Sequence, residues 1–154
     1  MNMTSRKTRT CTLDMLDEAL KNAIRAHAAK YGLDDLESDI LMCCETLSVR
    51  PKDRLLGGIK TTLSAVYVTP KWLVWAESSG RNEAAAGTAR LSQIDVRDYR
   101  ATSQYAITPN QGLNITGRYT DTNRTGITFI VLEAESDGQK FRDVLHDALR
   151  KTTR

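Results

Sequence analysis

The stretch SDGQKFRDVLHDALR, residues 136–150, decides the fold class of this chain. Phe141, Val144, Leu145, Ala148 and Leu149 fall three and four residues apart, which lines them along one side of a helix. Ser136 followed three residues on by Gln139 has the pattern of a capping box, in which two side chains satisfy each other's free backbone N–H groups. Asp137 at the start and Arg150 and Lys151 at the end complement the helix dipole. Immediately upstream the texture changes. Ile127, Phe129 and Val131 alternate with Thr128, Ile130 and Leu132, a strand with apolar residues on both faces. A two-residue period that switches to a helical one at Ser136 predicts a sheet closed by a C-terminal amphipathic helix.

Further upstream, short apolar or alternating runs are separated by turn residues, as in a β meander. Residues 61–68 and 72–76 flank Thr69, Pro70 and Lys71. Proline suits the first corner of a tight turn, so a hairpin is expected there. Residues 78–87 are polar and rich in Gly and Ala, hence a loop, and 89–99 follow as one strand or two bent ones. Pro109, Asn110 and Gly112 make a turn before a strand over 113–119, and 121–126 reads as the tip of the last hairpin. Residues 33–49 fit both helical and alternating spacing. β-Branched, thiol and Thr side chains after Ile40 favour a short turn and then a strand, which Pro51 ends. Before it, Leu13, Leu16, Leu20, Ala23, Ile24, His27 and Tyr31 share one helical face, with Thr12 as the expected cap and Gly32 as the stop.

With 154 residues, 40% hydrophobic and 27% charged, the chain suits a single folded core rather than disorder. The expected division is a flexible tail over 1–11, a helical extension over 12–39 and the main domain over 40–151. A formal charge of +3 is too balanced to imply nucleic acid by default. The basic excess sits in terminal segments, at Arg6, Lys7 and Arg9 and again at Arg150, Lys151 and Arg154, which read as solubilising tails. The three cysteines, two of them adjacent, make no disulfide framework and fit a reducing cytoplasm. No apolar segment follows the basic start, and no stretch approaches the ~20 apolar residues of a membrane span.

The chemistry of an enzyme is not visible. His27 falls on an apolar helix face, where a hydrogen-bonded core histidine is the plain reading, and His146 on a polar one. Cys43 and Cys44 point to opposite faces of a strand, which suits small buried hydrophobes better than zinc ligands or a nucleophile. Gly57 and Gly58 lack phosphate-loop spacing. No catalytic residue, metal or cofactor is therefore expected. The candidate ligand-binding residues are Arg50, Lys52, Arg54 and Lys60, a basic connection able to hold anions. Arg97, Arg100, Arg118 and Arg124 with Tyr99, Tyr105 and Tyr119 form a second candidate, suited to stacking and phosphate contact. A solvated face, with Asp53, Asp95, Asp98 and Asp121 interspersed, is the plain alternative for both.

The run Ala65-Val66-Tyr67-Val68-Thr69-Pro70-Lys71-Trp72-Leu73-Val74-Trp75 resembles the second and third strands of bacterial pleckstrin-homology (PH)-like domains. Arg90-Leu91-Ser92-Gln93-Ile94-Asp95-Val96 is similar to the segment that follows, and residues 141–149 resemble the closing helix. The resemblance implies an α+β, mainly β fold: a strongly bent antiparallel sheet or partly open barrel capped by the C-terminal helix, with the N-terminal helix added. It implies a non-catalytic cytoplasmic module that binds a protein or peptide partner, a second copy of itself included. One alternative is an anionic membrane surface met through residues 50–60. Another is single-stranded nucleic acid on the Arg/Tyr sheet face. Arg50, Lys52 and Arg54 stand where lipid-binding members carry basic residues, whereas residues 61–68 lack the Arg found on their second strand.

Overall fold

In the computed structural model, which describes residues 5–51, 58–78, 83–107, 110–120 and 125–152, the turn at Pro70 anchors the larger sheet. Thr69 Oγ1 accepts hydrogen bonds from the backbone N–H of Lys71 (3.1 Å) and Trp72 (2.8 Å), which fixes the corner. The flanking strands are β3 (Ile59–Val68) and β4 (Trp72–Ser78), paired antiparallel with Val68 opposite Leu73. Outward from them lie β2 (Met42–Pro51) and β1 (Ser5–Thr10) on one side and β5 (Ala84–Arg90) on the other. These make a five-stranded antiparallel sheet in the order β1-β2-β3-β4-β5. A second antiparallel sheet has the order β6 (Ile94–Asp98), β7 (Gly112–Arg118), β8 (Thr125–Val131). With α1 (Glu18–Tyr31) and α2 (Ser136–Thr152) the fold is α+β and mainly β. Among the described residues the two sheets do not join into a closed barrel.

The alternation of side chains along a strand gives the larger sheet two buried faces. Cys44, Val66, Val68 and Leu73 face Leu113, Ile115, Ile130 and Leu132 of the second sheet and Phe141, Leu145 and Ala148 of α2. Cys43, Ala65, Tyr67, Trp72, Val74 and Ala76 face the other way and cover Leu20 and Ile24 of α1 and Leu36 after it. Cys43 and Cys44 thus enter opposite cores, as their adjacency implies. The indole N–H of Trp72 donates to Asp35 Oδ1 (3.0 Å), tying the segment after α1 to β4.

Buried Arg142 fastens α2 to both edge strands of the second sheet, at their C-terminal ends. Its Nε donates to Asp98 Oδ2 at the end of β6 (2.7 Å), its Nη2 to the Leu132 carbonyl (3.1 Å), and its Nη1 to the Glu133 carbonyl. Gly138 makes this approach possible, because a Cβ there would stand 1.9 Å from the Glu133 carbonyl oxygen.

Four local expectations are corrected. Residues 5–10 of the expected tail form β1, opposite residues 44–49 of β2. Their polar composition suits an edge strand that buries few side chains. Thr12 does not cap the first helix. Residues 13–15 form a 3₁₀ turn, and α1 begins at Glu18, where Asp17 accepts from the Ala19 N–H (3.1 Å). Gly32, at φ 65°, does end it. Residues 84–87, expected in a loop, belong to β5. Gly87 lies beneath Trp75, whose indole would stand 2.5 Å from a Cβ there, while Ala84 and Ala86 pack on the opposite face against the α1 core. The expected pairing of Ser136 with Gln139 is replaced by other partners. Gln139 Nε2 donates forward to Asp143 (3.0 Å), and the Asp137 carboxylate accepts from the Thr10 N–H (2.9 Å). The expected tip at 121–126 lies outside the described residues up to 124.

Candidate functional site: the open seam between the sheets

Antiparallel strands direct the backbone groups of every second residue away from the partner strand. Leu132 N–H donates to the Gln111 carbonyl (3.1 Å), and β8 pairs with β7 with Val131 opposite Gly112. That phase turns the backbone groups of Ile127, Phe129 and Val131 outward, to the unpaired edge. Likewise Cys11 N–H donates to the Cys43 carbonyl (3.0 Å), so β1 turns Arg6, Thr8 and Thr10 outward. The free edges of β1 and β8 meet at one point. Thr8 N–H donates to the Glu133 carboxylate (2.9 Å), and Glu133 N–H returns a bond to Thr8 Oγ1 (2.8 Å). Thr8 Oγ1 also lies 2.8 Å from Thr46 Oγ1. Beyond this clasp, among the described residues, no hydrogen bond joins β1 to β8 toward Ser5 and Thr125.

The floor of the seam is the inner face of the larger sheet, whose composition grades from apolar to charged. Cys44 and Val66 lie in the core, then Thr46 opposite Ser64, Ser48 opposite Thr62, and Arg50 opposite Lys60. Arg6 stands opposite Ser48 on β1, and Glu77 opposite Ser64 on β4. Arg6, Ser48, Arg50, Lys60, Thr62, Glu77 and Val131 enclose a recess of about 120 Å³. A second hollow of about 170 Å³ shares Glu77 and Val131 with it and runs on along Ser64 and residues 128–130 of β8.

Buried polar groups are ordinarily hydrogen-bonded, so orphans are informative. Among the described residues four such side-chain atoms lack a partner, and three of them, Arg6 Nε, Ser48 Oγ and Ser64 Oγ, belong to this seam. The fourth, Tyr67 Oη, sits in the opposite core. Ser48 is 7% and Ser64 5% exposed, and each lines one of the two hollows. Burial pulls the Arg6 guanidinium below its ordinary pKa, and the Glu77 charge only partly restores it. Among the described residues three cations face one carboxylate, and an anion placed among them would receive hydrogen bonds and charge neutralisation together.

Of the residues singled out from sequence, the fold places Arg50 and Lys60 side by side across β2 and β3, while Lys52 and Arg54 lie outside the described residues. Arg6 was not among them. Its signal is the two-residue alternation Arg6, Thr8, Thr10 within a polar segment, which marks one face of a strand. The other basic set is dispersed: Arg97 stands opposite Asn114, Arg118 opposite Thr125 at the far end of β7, and Arg124 lies outside the described residues. Arg100 pairs with Asp98 (3.0 Å). The Tyr99 ring meets Phe129 edge-on at 5.2 Å and Tyr119 meets Trp75 at 5.4 Å, while Tyr105, partly exposed, leans on Tyr99.

Other reactive groups are engaged elsewhere. His27 Nε2 is 2.9 Å from Thr88 Oγ1, and His146 is exposed. Cys11 Sγ lies 3.8 Å from Cys43 Sγ. That contact lowers the Cys11 pKa and, together with burial, raises that of Cys43, while burial pushes Cys44 up to about 12. No group of three metal-ligating side chains occurs among the described residues, and no helix there is long and apolar enough to cross a membrane. A larger hollow of about 440 Å³ follows α2 past Leu41, Pro70, Val144 and Ala148. Its polar rim is already paired, Asp147 with Lys151 (3.1 Å) and Asp143 with Gln139 (3.0 Å), so among the described residues it is the seam that combines depth with unpaired donors. Comparisons with protein-family models, with curated proteins and with solved structures find no match to this chain.

Proposed function

We propose that this chain is a non-catalytic, PH-like interaction module whose seam recess receives an acidic group of a protein or peptide partner. The order of β2 to β8 followed by α2 supports the PH-like reading, since strands in two antiparallel sheets and then one helix is the element order of that superfold. β1 and α1 are additions to it. The single observation that carries the function is the recess in which Arg6 Nε and Ser48 Oγ, both unpartnered, lie beside Arg50 and Lys60, with the unpartnered Ser64 Oγ in the adjoining hollow. Glu77 on the rim leaves the recess a net attraction for anions and penalises a highly charged one.

Titration with inorganic phosphate, followed by backbone amide NMR, tests the site. Shifts are expected at Arg6, Ser48 and Thr62, with affinity falling about tenfold or more in the double variant Arg50→Gln, Lys60→Gln and weakening with salt. Shifts confined to other surfaces overturn the assignment. A second reading follows from the adjacency of Arg50 and Lys60, both exposed: recruitment to an anionic bilayer, where each basic residue near the surface contributes ~1 kcal/mol. Vesicles of phosphatidylserine and phosphatidylcholine distinguish the two. Sedimentation with them that the double variant abolishes favours the membrane, and no sedimentation leaves the protein partner.

A further inference from the structure

We infer that the partner enters the seam as an extended strand added to the free edge of β8, directing an acidic side chain into the basic recess. The inference rests on the module reading above and specifies how the partner's backbone is held. Ile127, Phe129 and Val131 turn their backbone groups to this edge, and Ile127 is 73% exposed. Such a row is a template for one more strand, which would supply main-chain hydrogen bonds while its alternate side chains supply specificity.

Three features select this edge and this occupant. On β1 the outward amides of Thr8 and Thr10 are already bound by the Glu133 and Asp137 carboxylates, whereas among the described residues the outward amides of β8 have no such partner. On the side of the clasp where β8 runs from Val131 back to Thr125, no strand among the described residues pairs with its outer edge. The recess flanks Val131, so a residue paired near it can project inward while its neighbours face solvent. Charge then decides the partner. Arg6, Arg50 and Lys60 call for an acidic residue, and β8 of a second copy, TGITFIV, contains none. The occupant is therefore an extended, acid-bearing segment of another protein.

The test uses the full chain and a synthetic peptide of alternating Val and Glu. Binding is expected to slow hydrogen exchange of the Ile127, Phe129 and Val131 amides. Methylation of alternate peptide nitrogens is expected to weaken binding about tenfold in one of the two possible phases, as removal of main-chain hydrogen bonds requires. Ile127→Pro, which removes an outward amide that β7 does not use, is expected to weaken the peptide similarly while leaving phosphate affinity unchanged. Because the methylated peptides meet unaltered protein, the result stands even if the proline variant folds poorly. Peptide binding indifferent to methylation in both phases overturns strand addition and, with phosphate binding intact, leaves the recess standing. Loss of both phosphate and peptide binding in the unaltered chain overturns the module reading itself. A dimer that protects the β8 amides without peptide overturns the chosen occupant.

Discussion

At the scale of single residues, Arg142 and Asp98 show how a helix is locked to a sheet by charge. Arg142 is 3% exposed, and removing the Asp98 carboxylate would leave a buried cation whose partners among the described residues are carbonyls. Asp98→Ala is expected to cost about 3 kcal/mol or more in urea denaturation, in the range found for broken buried pairs. Burial by itself would raise the Asp98 carboxyl. Hydrogen bonds from the Arg100 side chain and backbone, and the charges of Arg142 and Arg100, outweigh it and hold the group at about 2. A depressed carboxylate pKa contributes stability that is present above the unfolded value near ~3.9 and is lost as pH falls through the folded one. The urea midpoint should therefore decline between about pH 4 and about pH 2, and Asp98→Ala should flatten that limb. Sequence shows Arg142 only as the neighbour of Phe141, and nothing local marks it as interior. Its three partners are contributed by the ends of β6 and β8.

At the scale of elements, legibility follows how local the cause is. The hairpin at Pro70 and the stripe on α2 are set by spacing within a few residues, and both read directly. Phe141 is fully buried in the inner core, so Phe141→Ala should cost about 3–5 kcal/mol by chemical denaturation, and an unchanged midpoint would contradict its place there. β1 and β5 are different. SRKTRT has no apolar residue to alternate, and the Ala-rich start of β5 becomes a strand because Trp75 of the neighbouring strand covers Gly87. The candidate site divides in the same way. Arg50 and Lys60 belong to one basic stretch and are visible in sequence, whereas Arg6, Ser48 and Ser64 become a site only through strand register.

At the scale of the molecule, the larger sheet carries a core on each face, which makes the N-terminal third of the chain structural rather than appended. Leu20 of α1 is fully buried against that sheet. Leu20→Ala should cost about 2–5 kcal/mol, and in a cooperative domain that loss should appear equally in the exchange of β3 and α2 amides. Local fraying of α1 alone would show instead that the two cores melt separately. The clasp between Thr8 and Glu133 bridges 125 positions of sequence, far more than the pairing of β1 with β2. During synthesis, β2 to β5 emerge and can pair among themselves while β1 still lacks the carboxylate that holds its outer edge. Contacts of such separation form late, so they slow escape from the native state more than they speed its formation. A chevron for Thr8→Val is expected to show a faster unfolding limb and an unchanged refolding limb. The first strand of the chain would then act as its final latch, setting how long the folded state lasts rather than how quickly it is reached.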